Sequence, residues 1–330
     1  MKLDRVLSGT RPTGKLHLGN LLGALENYKK LQGAESFFMI ADWHALTTEY
    51  ESHTSIADNV TEVVLDYLAV GLDPKQCTLF VQSEVPEHAA LALLLSMMTP
   101  LGWLERNPTY KDQLAELKGK DLNTHGFLGY PVLQAADILL YKATKVPVGE
   151  DQLPHLELTR EILRRFHHLY GKEIFPEPQP ILTRAPRVPG LDGRKMSKSY
   201  GNCIYLDEKA EDVVKKMKTM VTDPGRKRRE DKGNPDICPV FALHKQLNSA
   251  KVETVAAECR SAARGCVDCK LEAASCLNEF LDPIRQRREE WGGKKDTVRD
   301  ILNQGRDRAH AVAAATLDEA LCAAGMRKHD

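Results

Sequence analysis

The sequence predicts an α/β protein in which a doubly wound parallel sheet is followed by a smaller all-helical C-terminal domain. Three observations carry that expectation. Short apolar runs alternate with helix-period segments through the first half, as strands joined by crossover helices do. Prolines crowd the stretch 175–189, and everything beyond Asp207 reads as helix. A chain of 330 residues has room for one large core and a smaller companion.

Taken in order, residues 5–7, 37–41, 78–82 and 145–148 read as strands. Between them Leu18, Leu21, Leu22 and Leu25 recur at helical spacing, as do Ile56, Val60, Val63, Val64 and Leu68 after Ser55. A helix over 131–143 is apolar on most sides, with Pro131 expected in its first turn and Tyr130 in the extended segment that enters it. Pro176, Pro178, Pro180, Pro186 and Pro189 break regular structure and mark a boundary. An Ala-rich helix over 297–324 closes the chain. No internal repeat or low-complexity segment interrupts this order. The expected units are 1–190 (sheet domain), 191–206 (mobile loop and linker), 207–292 (helical domain) and 293–330 (terminal helix).

Hydrophobic residues make up 42% and charged residues 28% of the chain, which excludes a disordered or membrane-embedded protein. The sequence starting at Met1-Lys2-Leu3 has no signal-like apolar core, and 91–98 is too short to cross a bilayer, so a cytoplasmic protein without a membrane partner is expected. Basic and acidic residues both total 46, so a nucleic-acid partner must be met by local patches. The densest is Arg226-Lys227-Arg228-Arg229, preceded by Lys215, Lys216 and Lys218; the basic helix segment 285–288 is another.

Two stretches carry chemistry. Gly9-Thr10-Arg11-Pro12-Thr13-Gly14-Lys15-Leu16 almost satisfies a phosphate-loop pattern, but Leu16 cannot ligate magnesium where Ser or Thr is needed, and Pro12 lacks an N–H. Extended to His17-Leu18-Gly19-Asn20, the stretch is instead a strand, a turn and a helix start whose N-terminus favours phosphate. Some 180 residues later, Lys195-Met196-Ser197-Lys198-Ser199 lies in a Gly-rich loop, where two lysines can follow charge that moves onto a leaving phosphate. Taken singly, His17 reads as a helix cap and the lysines as a solvated loop. A third feature is the polar stripe Tyr130, Gln134 and Asp137, at i, i+4 and i+7 on an otherwise apolar helix, which needs either internal hydrogen-bond partners or a ligand.

In this order and spacing the two stretches resemble the paired signatures of class I aminoacyl-tRNA synthetases, over essentially the whole chain and most closely from Leu7 to Tyr205. The resemblance implies a Rossmann-like catalytic domain, with Arg11, Thr13, His17, Gly19, Asn20, Gly149, Asp151, Lys195, Met196, Ser197 and Lys198 at ATP. Lys195, Lys198 and His17 would be catalytic, and Mg2+ would accompany ATP. The stripe is similar in both the tryptophanyl and the tyrosyl branch. Three positions before Thr10, however, tyrosyl enzymes carry a Tyr and this chain carries Leu7, whose apolar wall suits an indole. With Val146-Pro147-Val148-Gly149-Glu150-Asp151-Gln152, this resembles the bacterial tryptophanyl branch. Leu7, His44, Tyr130, Gln134, Asp137, Val148 and Gln152 are then implied around L-tryptophan, with Asp137 accepting from the indole N–H and the Tyr130 hydroxyl facing the substrate amine. Arg11 stands where many bacterial members have Gln, and Gln134 where some have Met. The implied partners are tRNA(Trp), L-tryptophan, ATP and a second copy of the chain as a homodimer.

Cys238, Cys259, Cys266 and Cys269 follow a C-x20-C-x6-C-x2-C pattern in a helical region. Four thiolates can hold an iron–sulfur cluster or zinc, and unligated thiols are the remaining reading. A subset of bacterial tryptophanyl enzymes carries a [4Fe–4S] cluster on a similar pattern near the anticodon-binding face, with a first gap two residues longer. A rival class is a regulatory RNA-binding paralogue that has lost activation; the presence of Lys195, Lys198, His17 and Asp137 speaks against it.

Overall fold

The structure is a computed structural model that describes residues 4–33, 35–51, 55–116, 121–182 and 188–327, without the side chains of 113, 115 and 116. The N-terminal residues Met1, Lys2 and Leu3, and Pro186 of the expected boundary, lie outside the described residues. Five parallel strands, β1 (Val6–Thr10), β2 (Ser36–Ile40), β3 (Thr78–Val81), β4 (Lys145–Val148) and β5 (Gln179–Leu182), form one sheet in the order β3-β2-β1-β4-β5. The chain builds outward from β1 through β2 to β3, then returns to the other side of β1. The switch point therefore lies between β1 and β4, where open α/β sheets leave a crevice at the carboxyl ends of the strands.

Alternation along β2 shows how the sheet is held. Phe38 and Ile40 enter one apolar cluster, and Phe37 and Met39 enter another on the opposite face. The first cluster joins Val63 and Val64 of the helix Ile56–Val70 to Leu277, Leu281 and Ile284 of the helix Cys266–Gly292. The helical region thus shares a core with the sheet. Ser55 caps Ile56–Val70 by accepting the Asp58 N–H at 3.2 Å, and Gly71 ends it at φ +101°.

Three expectations change. Residues 179–182, read as part of a proline-rich break, form β5; among the described residues it pairs only with β4, and an edge strand accommodates Pro180 without a ladder donor. Arg160 fastens the approach to β5 by donating to the Pro178 carbonyl at 2.8 and 2.9 Å. The polar-stripe helix starts at His125, not Pro131: Thr124 accepts the Phe127 N–H at 3.2 Å, so Pro131 and Tyr130 both lie inside His125–Leu140. The cap is a stronger start signal than the proline was a boundary. Finally, β1 runs on to Thr10, and Gly9 is needed there because a Cβ would stand 2.7 Å from Met39 Cγ.

The terminal helix Lys295–Ala323 lies across β3 and the helix Glu87–Ser96. Gly305, Ala309, Ala313, Thr316 and Ala320 face inward, and a Cβ on Gly305 would stand 1.7 Å from the Leu79 carbonyl oxygen. Close approach, as much as helix propensity, accounts for the small residues. Among the described residues no helix is long and apolar enough to cross a membrane.

Candidate active site

The crevice at the switch point is a cavity of about 370 Å³. It is lined by Leu7 to Thr10 of β1 and Arg11 just beyond, by Met39 of β2 and Ala41 just beyond, and by Val146 to Val148 of β4 and Gly149 just beyond. Asn20 reaches it from the helix start, His44 from the helix after β2, Tyr130, Gln134 and Asp137 from one face of His125–Leu140, and Gln152 from beyond β4. The structure therefore brings together Leu7, Arg11, Asn20, His44, Tyr130, Gln134, Asp137, Val148, Gly149 and Gln152.

The first signature is built around His17, the N-cap of Leu18–Asn20, where Asn20 Oδ1 accepts the His17 backbone N–H at 3.0 Å. The helix then opens into a π-helical turn over Leu21–Leu25, a feature associated with functional sites. Gly19 is one of the residues that the resemblance implies at ATP. What it admits here is the His17 ring itself, because a Cβ would stand 2.9 Å from Cε1. His17 is buried and its Nδ1 has no hydrogen-bond partner. Burial, then Lys198 and Lys195, push its imidazole down to about 4, so the ring is neutral near pH 7.

The second signature closes over the first. Lys198 Nζ donates to the Gly14 carbonyl at 2.8 Å, and burial lowers its ammonium to about 8. Buried Met196 brings its Cβ within 3.6 Å of where a Gly19 Cβ would be, and its N–H donates to Val188 O. Ser197 N donates to Asn202 Oδ1 at 2.8 Å. Lys195 is exposed, and half-buried Thr13 turns its N–H to Arg11 O at 2.9 Å. Asp151 accepts from Gln152 Nε2 at 3.0 Å, and its Oδ1 lies 2.5 Å from where a Cβ on Gly149 would stand. Thr13, His17, Gly19, Asp151, Lys195, Met196, Ser197 and Lys198 thus stand outside the cavity's own lining.

Asp137 is fully buried and carries more partners than its helix stripe foretold. His44 Nε2 donates to Oδ2 at 2.7 Å and His88 Nδ1 to Oδ1 at 2.6 Å, while Gln82 Nε2 spans both oxygens at 2.8 and 3.0 Å. Burial alone would raise this carboxyl, but His44 and then His88 outweigh it and hold it below the usual carboxylate range. Tyr130 is likewise engaged, its hydroxyl 2.8 Å from His155 Nε2. Gln82, His88 and His155 went unread in the sequence, because each comes from an element distant from the stripe. The one signal was Gln82, a polar residue closing an apolar strand.

Cys238, Cys259, Cys266 and Cys269 line one small cavity of about 20 Å³ with Val240, Phe241 and Val255. Burial raises the Cys269 thiol to about 12 and also raises Cys259. Arg226 lines the same cavity with a buried Nε that has no partner. Among the described residues no group of three or more His, Cys, Asp or Glu is placed to hold a single metal ion.

A parallel sheet with its crevice at the switch point, and a histidine signature met by a lysine signature through Lys198 and Gly14, define a class I aminoacyl-tRNA synthetase. The family profile "tRNA synthetases class I (W and Y)" matches residues 3–282, and the chain belongs to that family. Within it the chain groups with the tryptophan enzymes. It is 51% identical to the tryptophan–tRNA ligase of Thermotoga maritima, covering 96% of this chain and 97% of the relative. It is 45% identical to that of Ralstonia nicotianae, over 98% of both. The crystal structure of tryptophanyl-tRNA synthetase from Campylobacter jejuni complexed with ADP and tryptophan superposes with a TM-score of 0.86 at 31% identity, covering 97% of this chain and 99% of that one.

Proposed function

We propose that the chain activates L-tryptophan with ATP, giving tryptophanyl-adenylate and pyrophosphate, and transfers the amino acid to tRNA(Trp). The observation that carries this reading is the meeting of Lys198 with Gly14, together with a strand-end cavity walled by Leu7 and Val148. The Campylobacter jejuni protein, which resembles the chain along nearly its whole length, holds ADP and tryptophan. The tryptophan carboxylate attacks the α-phosphate in line, and no protein nucleophile is needed. Lys195, Lys198 and neutral His17 neutralise and hydrogen-bond the phosphates as charge moves to pyrophosphate. Mg2+, when bound with ATP, would neutralise phosphate charge further. Arg11, Thr13, Gly19, Asn20, Gly149, Asp151, Met196 and Ser197 frame the nucleotide; His44, Tyr130, Gln134, Asp137 and Gln152 frame the amino acid. ATP–pyrophosphate exchange with tryptophan, run beside tyrosine, tests the reading; exchange with tyrosine alone, or with neither, would overturn it.

Cys238, Cys259, Cys266 and Cys269 would hold a [4Fe–4S] cluster, which would supply a rigid cross-link among three segments of the helical region. Four thiols facing one apolar cavity, with the unpartnered Arg226 Nε to offset an anionic group, fit such a ligand set, although the cavity must widen to admit it. In this reading the units are 1–190 (catalytic), 191–206 (signature loop), 207–292 (tRNA-binding) and 293–330 (terminal helix), with the Arg226–Arg229 run at tRNA phosphates. The enzyme would work in the cytoplasm as a homodimer. Exposed Leu93, Met97 and Leu101 offer an apolar surface for a second copy.

A further inference from the structure

Arg11 follows directly on β1 and lines the crevice at the switch point, where it keeps open surface of its own. Among the described residues no hydrogen bond and no ion pair holds its guanidinium; Tyr130 and Glu49 act on it through charge alone. It is also the one Lys or Arg among the described lining residues. The carboxylate in that lining, Asp137, is already taken up by His44, His88 and Gln82. The described crevice therefore presents a cation without a counter-charge, and an enclosed cation of that kind calls for an anionic ligand.

The place of that cation follows from the groups that feel it. Burial draws the Arg11 guanidinium down from its usual value, against Tyr130 and then Glu49, and an arginine still keeps its charge near pH 7. Burial raises the Tyr130 hydroxyl, and Arg11 pulls it back. Burial lowers Lys198 to about 8; Cys203 and Asp66 oppose that, and Arg11 adds to it. One guanidinium is thus felt at Tyr130, on the helix face that frames the amino acid, and at Lys198, in the second signature. Arg11 stands between the two halves of the site, where an amino acid and a nucleotide must meet.

We propose that Arg11 is a catalytic residue that bridges the attacking carboxylate and the α-phosphate, holding the two anions together for in-line attack. The proposal rests on the amino-acid-activating reading above and adds to Arg11's place at the nucleotide a contact with the second reactant. In the step itself a carboxylate oxygen forms a bond to the α-phosphorus, and the bond from that phosphorus to the oxygen shared with the β-phosphate breaks. The electron pair leaves with pyrophosphate, and no proton has to move. Both reactants are anionic, so their approach is opposed until a cation lies between them. A planar guanidinium with five N–H donors can hold an oxygen of each reactant at once, which a point charge such as an ammonium cannot do.

The test is Arg11→Gln, which keeps an amide donor and removes the charge, in the full chain. Tryptophan-dependent ATP–pyrophosphate exchange should lose about tenfold or more in kcat, the loss of a hydrogen bond between charged groups, while KM for ATP moves less than kcat. Equilibrium binding supplies a readout that a merely structural role would not move. With α,β-methylene-ATP present, the variant should bind tryptophan about tenfold more weakly than without it, because two anions then meet with no cation between them; the wild type should show at most about a twofold change. Tryptamine, which lacks the carboxylate, should respond to the nucleotide analogue equally in both proteins. A variant with wild-type kcat, or one whose response to the analogue is the same for tryptophan as for tryptamine, would overturn the proposal. If Arg11→Gln does not fold, Arg11→Lys, which keeps the charge without the fork, should lose kcat as well; a loss confined to KM for ATP would overturn the bridge. A wild-type protein without tryptophan-dependent exchange would remove the underlying reading instead, which separates the two failures.

Discussion

Asp66 and Arg288, far apart in sequence, form a pair in which Asp66 Oδ1 accepts from Arg288 Nε at 2.7 Å while Oδ2 accepts the backbone N–H of Leu16 at 3.1 Å. One carboxylate thus ties the helix Cys266–Gly292 to the residue before His17. Arg288 also meets Glu62 at 2.5 Å and Asp207 at 3.9 Å, and Lys15 pairs with Asp207. Burial lifts the Asp66 carboxyl to about 6 in spite of Arg288, so the pair is costly to assemble and costly to break.

Arg288→Ala should therefore destabilise the protein by about 3–5 kcal/mol, the range for removing one member of a buried pair. It should also slow ATP–pyrophosphate exchange, although Arg288 lines no part of the cavity. Thermal unfolding and exchange kinetics on the same preparation check this. Lost stability with full activity in the folded fraction would confine the pair to a structural role.

Asp137→Asn would place an amide where two histidines and Gln82 now donate to an ionised carboxylate. Tryptophan activation should fall by about ten- to a hundredfold, on the order of 1.5–3 kcal/mol for a charged hydrogen bond. Because Asp137 is saturated from behind, the melting temperature should fall too. Unchanged activation with a lower melting temperature would assign Asp137 to the internal network alone.

What could be read beforehand follows a physical division. Strands β1 to β4 were legible because both faces of a parallel sheet are buried and the runs are continuously apolar. β5 was not, because an edge strand tolerates the proline that argues against a central one. Tyr130, Gln134 and Asp137 were legible as a stripe because they share one helix face. Their partners His155, Gln82 and His88 were not, since tertiary packing alone brings those elements together. The Ala-rich terminal helix was read for propensity, while the spacing of Gly305, Ala309 and Ala313 encoded its seat against Leu79.

Lys198→Ala should lower the rate of the chemical step more than it weakens tryptophan binding, because the charge Lys198 meets develops mainly in the transition state. The wild-type pH profile offers a second check. A lysine lowered to about 8 is charged below that pH, so kcat/KM for ATP should decline as pH rises through about 8. The decline should be missing from the residual activity of Lys198→Ala. If the variant keeps it, another group titrates there.

Cys266→Ser should abolish visible absorption of the anaerobically purified protein, because a hydroxyl is a poor replacement for one of four thiolates around iron. The four-cysteine cavity is built from the helical region and shares no lining residue with the cavity at the strand ends. Loss of a cluster there should leave tryptophan-dependent exchange largely intact while tRNA charging falls, since the basic run that includes Arg226 borders the same cavity. A colourless wild-type protein without iron or sulfide would eliminate the cluster and leave zinc or free thiols. If the cluster is present and its loss removes exchange and charging equally, the cysteines hold up the shared core of the helix Cys266–Gly292 and the sheet. Their link to tRNA binding would then have no support.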